Sequence, residues 1–505
     1  MRKRGQQMGF VLSDAYERLV PPNHFLRRVS CALDFGFIDG LCRDKYKSAD
    51  GGPGRPAEPP VRLFKLLLLM FLYQVKFERE LERRANDSVS WRWFCGYAPD
   101  EPVASHKTLW LFRKRLGPEV FDNAFAHLVE QCISKGLVDR RRYHVDATSQ
   151  HAAATVFSQF EVAVILTRAM MDRLSSMQGK EECEVGSPPA EMDDEMKALV
   201  AKAASSAANL KRCNPARVLA KAEARPYESD SGNESAEPKP EDEGLLKAFV
   251  SMAREIWREH AHAKGDVDAR IGKTSPKDSF FGYLSTAVVD ESRGVVLGYE
   301  TVAGNIDQGK TFLPAYKRAV CLAGKPEEVA ADRAFDLEEI RRELRDSGVV
   351  GHIPMVRTHP RGGMFNSERF TVVELAGGYE VLCPCGLPMR QIKSRPNGLL
   401  VFRGKGCETC ALRSKCTTSK DGFRNFEFEP GRRKLQEECW LESKTARHKE
   451  AMKRRMASIE PVFGHGKTFH NLGKSIYRSL SMHRIQTAMS FFAIDLEKLV
   501  RYAPA

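Results

Sequence analysis

The sequence predicts an α/β fold preceded by a mainly helical region. Residues 11–135 carry a dense apolar stripe and charged stretches at helical spacing. Residues 282–304 alternate apolar and polar side chains on both sides of the turn DESRG, as expected for a β-hairpin. Residues 327–355, EEVAADRAFDLEEIRRELRDSGVVGHIPM, follow as strand, loop, helix and strand, which is a βαβ pattern. These observations predict a mixed sheet flanked by helices.

Length and charge narrow the class of protein. A chain of 505 residues is longer than one ordinary hydrophobic core requires and suggests two to four domains. Its formal net charge of +13 favours a polyanionic partner, of which nucleic acid is the commonest. The alternative is a solvated basic surface with no such partner.

No segment suggests export or membrane insertion. The opening residues MRKRGQQMGF have no apolar stretch after their basic residues, so we expect no signal peptide. The longest apolar run, LLLLMFLY at 66–73, is too short to cross a bilayer and predicts a buried helix. Thirteen cysteines in such a chain indicate reduced thiols or metal ligands. We therefore expect a cytoplasmic protein with no membrane partner.

A basic helix is predicted at residues 104–117, ASHKTLWLFRKRLG. Ser105 is a suitable N-cap and Gly117 a suitable stop. A DNA reader of the helix–turn–helix kind fits this region, and an ordinary helical bundle fits it about as well. On the first interpretation, the residues expected to contact DNA are Lys107, Arg113 and Lys114.

Two aspartates stand where strands are predicted to end. Asp146 follows the β-prone stretch Tyr143-His144-Val145, and Asp332 follows the first strand of the βαβ pattern. In open α/β sheets, ligands gather at the carboxyl ends of strands. Each residue also has an ordinary alternative, since Asp146 could cap a turn and Asp332, with Asp336, could cap a helix.

A third acid, Glu460, lies directly before Pro461 in the stretch ASIEPVFGHGK. Proline removes a backbone donor, so the pair is expected in the first turn of a helix or at a kink. Lys467 follows Glu460 by seven residues, close to two helical turns, so both side chains project from one face. The alternative is a surface ion pair.

Three such acids suit metal-dependent phosphoryl transfer. Two divalent ions about 3.5–4 Å apart can activate an attacking oxygen and stabilise the leaving one. Mg²⁺ takes oxygen ligands and keeps several waters, so a few carboxylates suffice. On this interpretation Asp146, Asp332 and Glu460 hold the metal, and Lys467 grips a nearby phosphate.

Five cysteines cluster in sequence, in CPCG at 383–386 and GCETCALRSKC at 406–416. Two turns of this kind can close a tetrahedral Cys₄ zinc site of structural type. The alternative is a set of reduced thiols. With five thiols for four positions, Cys385 is the expected spare, and the preferred ligands are Cys383, Cys407, Cys410 and Cys416.

Four blocks of the chain resemble bacterial insertion-sequence transposases of the DDE class. One lies in the N-terminal region, two hold the aspartates and the last holds the glutamate. The last is the most specific, because Glu-Pro-Val-Phe-Gly is followed by a lysine at the family's spacing. The blocks are GRPAEPPVRLFKLLLLMFLYQVKFERELERRANDSVSWRWFCGY, HVDATSQHAAAT, VAADRAFDLEEIRREL and RRMASIEPVFGHGKTFHNL.

The resemblance implies an RNase H-like catalytic core and a domain order. It implies a helical DNA-binding domain at 1–135 and a catalytic domain at 136–505. Two inserts interrupt the catalytic domain: an acidic one at 176–245, whose composition predicts disorder, and a cysteine-rich one at 375–430.

The resemblance also implies the site and its partners. Asp146, Asp332 and Glu460 would bind Mg²⁺ or Mn²⁺, and Lys467 would contact DNA. The family often carries an arginine four residues before the glutamate, where this chain has Met456, so the DNA contact falls to the neighbouring Arg455.

The expected function is DNA transposition. Such an enzyme binds the terminal inverted repeats of its element, cleaves phosphodiester bonds and joins the 3′ ends to target DNA. Synapsis of two ends predicts a homodimer, at least on DNA, and the place of action is the bacterial nucleoid. The alternatives are a catalytically silent DNA-binding protein derived from a transposase and a nuclease of the same fold.

Overall fold

The structure is a computed structural model that describes residues 16–46, 58–153, 262–263, 265–273, 279–355, 364–396 and 398–502. The predicted acidic insert at 176–245 lies outside the described residues. Among the residues that are described, no helix is both long and apolar enough to cross a membrane.

Helices make up most of the structure before the sheet, as predicted. They are α1 (Phe25–Ala32), α2 (Phe37–Cys42), α3 (Pro60–Leu72), α4 (Glu78–Asp87), α5 (Val89–Cys95) and α6 (His106–Ser134). The apolar run at 66–73 falls in α3 and the residue after it, and residues 66–72 are buried. α3 is therefore the buried helix that the sequence predicts.

Helix α6 confirms the predicted N-cap and the predicted stop. The Ser105 side chain accepts a hydrogen bond from the Thr108 backbone N–H at 3.3 Å. Gly117 has φ 69° and ψ 175°, which is not helical, and Pro118 follows it. A second helical segment then continues beyond this kink to Ser134, which the sequence analysis did not anticipate.

A mixed sheet forms the centre of the molecule, with strand β1 (Arg142–His151) inside it. On one side β1 pairs antiparallel with β4 (Ser279–Asp290). On the other side it pairs parallel with β6 (Glu328–Ala331), which pairs parallel with β7 (Val350–His352). β4 and β5 (Val296–Ala303) form the predicted hairpin.

Two further described strands belong to this sheet, and a helix packs on it. β3 (Asp266–Lys273) pairs with the start of β4, and β2 (His262–Ala263) pairs with β3. Helix α7 (Gly309–Ala323) packs on β5 and β4. At Gly298 a Cβ would come within 2.6 Å of the Ala315 carbonyl oxygen, so the strand and the helix approach closely there.

Helix α8 (Glu338–Asp346) connects β6 to β7, which confirms the predicted βαβ pattern. The two aspartates that were expected to cap α8 make other contacts. Asp332 caps the short 3₁₀ turn Arg333–Phe335, and Asp336 pairs with Arg341 at 2.7 Å.

The cysteine-rich segment folds as a small unit with its own apolar cluster, which includes Phe370, Val381, Phe402 and Phe426. Its hydrogen-bonded strands form two small sheets. The elements are β8 (Thr371–Leu375), β9 (Gly378–Leu382), β10 (Arg390–Ser394), β11 (Leu400–Arg403), the single-turn α9 (Arg413–Cys416) and β12 (Asn425–Phe428).

Three helices follow: α10 (Pro430–Ser443), α11 (Ala446–Phe469) and α12 (Leu480–Tyr502). α11 contacts β1, β6 and β7, whereas α12 packs along α6. One continuous hydrophobic cluster runs from the N-terminal helices through the sheet to α12. The helical region and the sheet therefore share a core.

One local expectation was wrong, and one of the two alternatives for Pro461 is excluded. Strand β1 does not end at Asp146 but continues to His151, because β4 pairs with it over its whole second half. Pro461 does not lie in the first turn of a helix. It lies inside α11, whose N-cap is Thr445 and whose apolar face is held against the sheet.

The turn after α11 is fastened to the end of α3. The His470 ring contacts the Phe71 carbonyl through Nδ1 at 3.0 Å. Asn471 has φ 56°, a conformation that asparagine tolerates better than most residues, and its amide donates to the Met70 and Val75 carbonyls at 3.0 and 3.1 Å. This turn therefore joins the C-terminal helices to the N-terminal region.

Replacing Asn471 with aspartate should destabilise this joint. Asn471→Asp keeps the shape of the side chain but removes both donors and places a carboxylate against two carbonyl oxygens. We expect a loss of about 3 kcal/mol or more in the free energy of unfolding. Urea denaturation measures it, with the exposed Asn123→Asp as the matched control. Equal denaturation midpoints for the two variants would contradict the assignment.

Candidate active site

The pairing of β1 with β6 brings two of the three predicted acids together. The parallel register places Val145 beside Ala331, so the next residues, Asp146 and Asp332, are neighbours. Residues side by side in a parallel pair project from the same face of the sheet. Asp332 is the first residue after β6, and Asp146 lies at the level where β6 ends.

Asp146 is largely enclosed, with 17% of its side chain exposed. One carboxylate oxygen accepts the Ala147 backbone N–H at 2.8 Å, and the other lies 2.9 Å from an Arg455 guanidinium nitrogen. Burial raises the pKa of Asp146, Arg455 opposes that shift, and Asp332 adds to it. The two aspartates are thus close enough for their charges to interact.

Arg455 lies on the buried side of α11, with 5% of the residue exposed. Its guanidinium donates to the Val145 carbonyl at 3.3 Å in addition to pairing with Asp146. The structure therefore favours a positioning role for Arg455 over the DNA contact suggested from sequence. Met456, at the position where the family often has arginine, is 53% exposed. The buried arginine is its neighbour, Arg455.

Glu460 and Lys467 lie on the exposed side of α11. The opposite side of this helix is buried and includes Ile459, Val462 and Gly466. Seven residues correspond to about 700° of rotation, so the two side chains lie within about 20° of each other around the helix axis. The predicted shared face is confirmed by the continuous helix.

This face of α11 borders the aspartate pair. Loss of surrounding water lowers the pKa of the Lys467 ammonium, and the Asp146 carboxylate acts in the opposite direction. Lys467 therefore lies within the field of Asp146. Glu460 makes no hydrogen bond or ion pair with any residue that the structure describes, and its carboxylate does not join Asp146 and Asp332 within 4.8 Å. The structure brings two of the acids together and leaves the third outside that pair, on the exposed face of α11.

The donor set suits a hard cation. Two neighbouring carboxylates, one of them mostly buried, offer oxygen ligands of the kind that Mg²⁺ and Mn²⁺ prefer. Burial chiefly, and the nearby Asp332 in addition, raise the pKa of Asp146, so a cation held by the two carboxylates would offset both effects. Asp146 and Asp332 thus fit the metal expected from sequence.

A second charged network, which sequence reasoning missed, fixes the other end of α11. Glu328, at the start of β6, lies 2.7 Å from Arg447 and 3.4 Å from Arg454. His144 is buried beside it, hydrogen-bonded to Ser458, and burial lowers its pKa to about 4. A neutral His144 therefore packs between α11 and β1. Its place two residues before Asp146 was the only signal in the sequence.

The three basic residues predicted on α6 differ in exposure. Lys107 and Lys114 are exposed, as a DNA contact requires. Arg113 is 2% exposed, lies 2.6 Å from Glu78, and stacks 3.7 Å from the centre of the Tyr477 ring. Arg113 therefore connects α6 to α4 and to the segment before α12, so the structure favours a structural role for it.

The five clustered cysteines line one small cavity, together with Arg424. Burial raises the pKa of Cys416, with Cys407, Cys383 and Cys410 adding to the shift and Arg424 opposing it. The Sγ atoms of Cys383 and Cys385 lie 3.0 Å apart. Thiols are the donors that structural zinc prefers, but no three of these described Sγ atoms lie within 4.8 Å of one another, so the zinc site stays a prediction. Cys385 lies at the same cavity rather than apart from it.

Comparisons with known proteins give two matches to family models. A model described as a transposase domain (DUF772) matches residues 14–115, which contain α1 to α5 and the first part of α6. A model described as a transposase DDE domain matches residues 382–500, which contain the cysteine cluster, Glu460 and Lys467. Asp146 and Asp332 lie between the two matched segments. No match was found among curated proteins.

The matched segments flank the sheet that carries the aspartate pair, and the second contains the helix that lies over it. Both models describe domains of enzymes that move DNA, so a transposase function follows from them. The two matches support a DDE-class insertion-sequence transposase.

Proposed function

We propose that this protein binds the ends of its mobile element, cleaves the phosphodiester bond there and joins the freed 3′ end to target DNA. The observation that carries the proposal is the adjacent pair Asp146 and Asp332, with Lys467 of α11 in the field of Asp146 and Glu460 on the same face of that helix. Glu460 completes the metal-binding set.

The sheet supports an RNase H-like core. Its central strand β1 has an antiparallel hairpin on one side and two parallel strands on the other. The order β5–β4–β1–β6–β7 is the mixed arrangement expected of that fold, and α7 and α8 pack against it as its helices.

Each residue of the site has a distinct task. Asp146 and Asp332 hold the metal, and Arg455 fixes the orientation of Asp146 through its guanidinium. Lys467 binds a phosphate next to the scissile bond, which places that bond over the aspartates. Mg²⁺ or Mn²⁺ held by these carboxylates would supply activation of the attacking oxygen and stabilisation of the leaving oxygen.

The exposed side of α6 offers a surface for the element's ends. Lys107, Trp110 and Lys114 recur there at spacings of three and four residues, and the Lys114 ammonium lies 4.9 Å from the centre of the Trp110 ring. Basic side chains bind phosphates and release counterions, so this binding should weaken as salt rises. Synapsis of two ends by a homodimer is part of the same proposal.

Excision of a marked element should depend on Glu460. The element is built with the DNA that flanks the gene, and cells express wild-type protein or Glu460→Gln. We expect the variant to lose at least about 100-fold in excision, because a group that stabilises the transition state through the metal is removed. The matched control is Glu450→Gln, an exposed glutamate earlier on the same helix.

DNA binding by both variants is measured alongside. Retained binding with lost excision in Glu460→Gln alone supports the proposal. Equal excision by the two variants would remove Glu460 from the active site, and binding without excision by wild-type protein would favour the silent DNA-binding protein. A joined product separates the transposase from a nuclease of the same fold.

The pH dependence of cleavage should reveal the role of Arg455. Asp146 works as a carboxylate, and Arg455 opposes the rise that burial causes in its pKa. Without Arg455 that pKa rises further, so the increase of cleavage with pH should move to higher pH in Arg455→Met. Lys453→Met, an exposed change on the same helix, is the control. An unshifted profile in folded Arg455→Met would contradict the assignment.

Zinc content should depend on the cysteine cavity. We expect Cys410→Ser to lose one zinc ion per chain and to loosen the cysteine-rich segment, because the tetrahedral set is broken. Cys321→Ser, an exposed cysteine on α7, is the control and should keep the ion. Elemental analysis and limited proteolysis measure both effects. Unchanged zinc in Cys410→Ser would leave the alternative of reduced thiols.

A further inference from the structure

We propose that His465, His470 and Glu497 form a binding site for a transition-metal ion of the zinc type, separate from the aspartate pair and from the cysteine cavity. The three residues belong to different parts of the chain: His465 to α11, His470 to the turn after it, and Glu497 to α12. The proposal stands independently of the transposition chemistry.

The distances suit such an ion. One ligand atom from each residue lies within 4.8 Å of the other two, and no other histidine, cysteine or acidic group in the described part of the chain does this. The same Glu497 oxygen is 2.8 Å from His465 Nε2 and 3.4 Å from His470 Nε2. Zinc bonds of about 2.0–2.2 Å place tetrahedral ligands roughly 3.4 Å apart. The pair of Glu497 with His470 already has that separation, the pair with His465 is shorter, and the two histidine nitrogens lie within 4.8 Å.

The strongest argument for the metal site is which nitrogen of the His470 ring carries the hydrogen. Its Nδ1 lies 3.0 Å from the Phe71 carbonyl, which can only accept, so Nδ1 carries the hydrogen. In a neutral ring Nε2 is then a bare lone pair. The residue is fully buried, and Nε2 has no hydrogen-bond partner among the residues that the structure describes, although it lies 3.4 Å from a Glu497 carboxylate oxygen. A cation between these two electron-rich atoms satisfies both.

The contact with Phe71 is also of the kind that orients zinc-binding histidines. Histidines that bind zinc usually donate their other ring N–H to a carbonyl or a carboxylate, which fixes the ring and its tautomer. His470 already makes this contact through backbone that belongs to α3. The ligand is therefore oriented by the protein itself.

The donor set also selects the ion. Two imidazoles and one carboxylate suit zinc and its neighbours, whereas Mg²⁺ prefers oxygen ligands alone. The His465 side chain is 41% exposed and that of Glu497 is 28% exposed, so the outer side of the site is open to entry and to a water ligand. The ion would tie α11 to α12 close to Lys467.

The test is the zinc content and thermal stability of the full chain, loaded with Zn²⁺ in excess Mg²⁺. His465→Gln removes a partly exposed ligand and leaves the buried His470 contact in place. We expect this variant to bind one zinc ion fewer than wild-type protein and to lose part of the rise in Tm that zinc produces. Glu497→Gln should behave alike.

Two controls separate this site from others. His106→Gln changes a histidine that pairs with Glu82 at 2.7 Å but has no third ligand, and it should keep its zinc. In a Cys410→Ser background, the part of the Co²⁺ spectrum that His465→Gln abolishes should consist of ligand-field bands without thiolate charge transfer.

Either of two results would overturn the proposal. One is equal zinc content in the His465→Gln and wild-type chains. The other is a Cys410→Ser chain that binds neither Zn²⁺ nor Co²⁺, which would mean that a protonated His470 pairs directly with Glu497.

Discussion

The ion pair between Arg455 and Asp146 connects the two halves of the site. Asp146 lies on the central strand, and Arg455 lies on the helix that also carries Glu460 and Lys467. Because both partners are largely buried, the helix cannot turn or slide without leaving a charge unpaired, which costs about 3–5 kcal/mol. This contact therefore sets which residues of α11 reach the edge of the aspartate pair.

Contacts near the start and at the end of α11 hold the helix in the same position. Glu328 pairs with two arginines near the helix start, and the turn containing Asn471 fastens its end to α3. The last residues of α3 are thus bonded to the helix that borders the site, and α6 shares its core with α12. The N-terminal helices are therefore joined by packed and hydrogen-bonded contacts to the helix beside the aspartate pair.

Much of this arrangement follows from local sequence, and the remainder does not. The hairpin, the βαβ unit and the N-cap at Ser105 were predicted because their signals lie within a few residues. The register that sets Asp146 beside Asp332 depends on strands far apart in sequence, so only the fold reveals it. Likewise, Arg113 and Lys114 are adjacent and equally basic in sequence, yet packing buries one and exposes the other.

Charge opposes the entry of the Glu460 carboxylate between Asp146 and Asp332, which it does not join within 4.8 Å. The proposed site gathers three carboxylates, from Asp146, Asp332 and Glu460, against two cations, Arg455 and Lys467, so its own charges sum to one negative. At an effective dielectric constant of about 20, two like charges 4 Å apart repel by about 4 kcal/mol. A third carboxylate is therefore unfavourable beside the aspartates, and a DNA phosphate adds further repulsion. Positive ions at the site would offset the repulsion of Glu460 and the repulsion of the DNA phosphate. Metal binding, the approach of Glu460 and the docking of DNA should therefore strengthen one another.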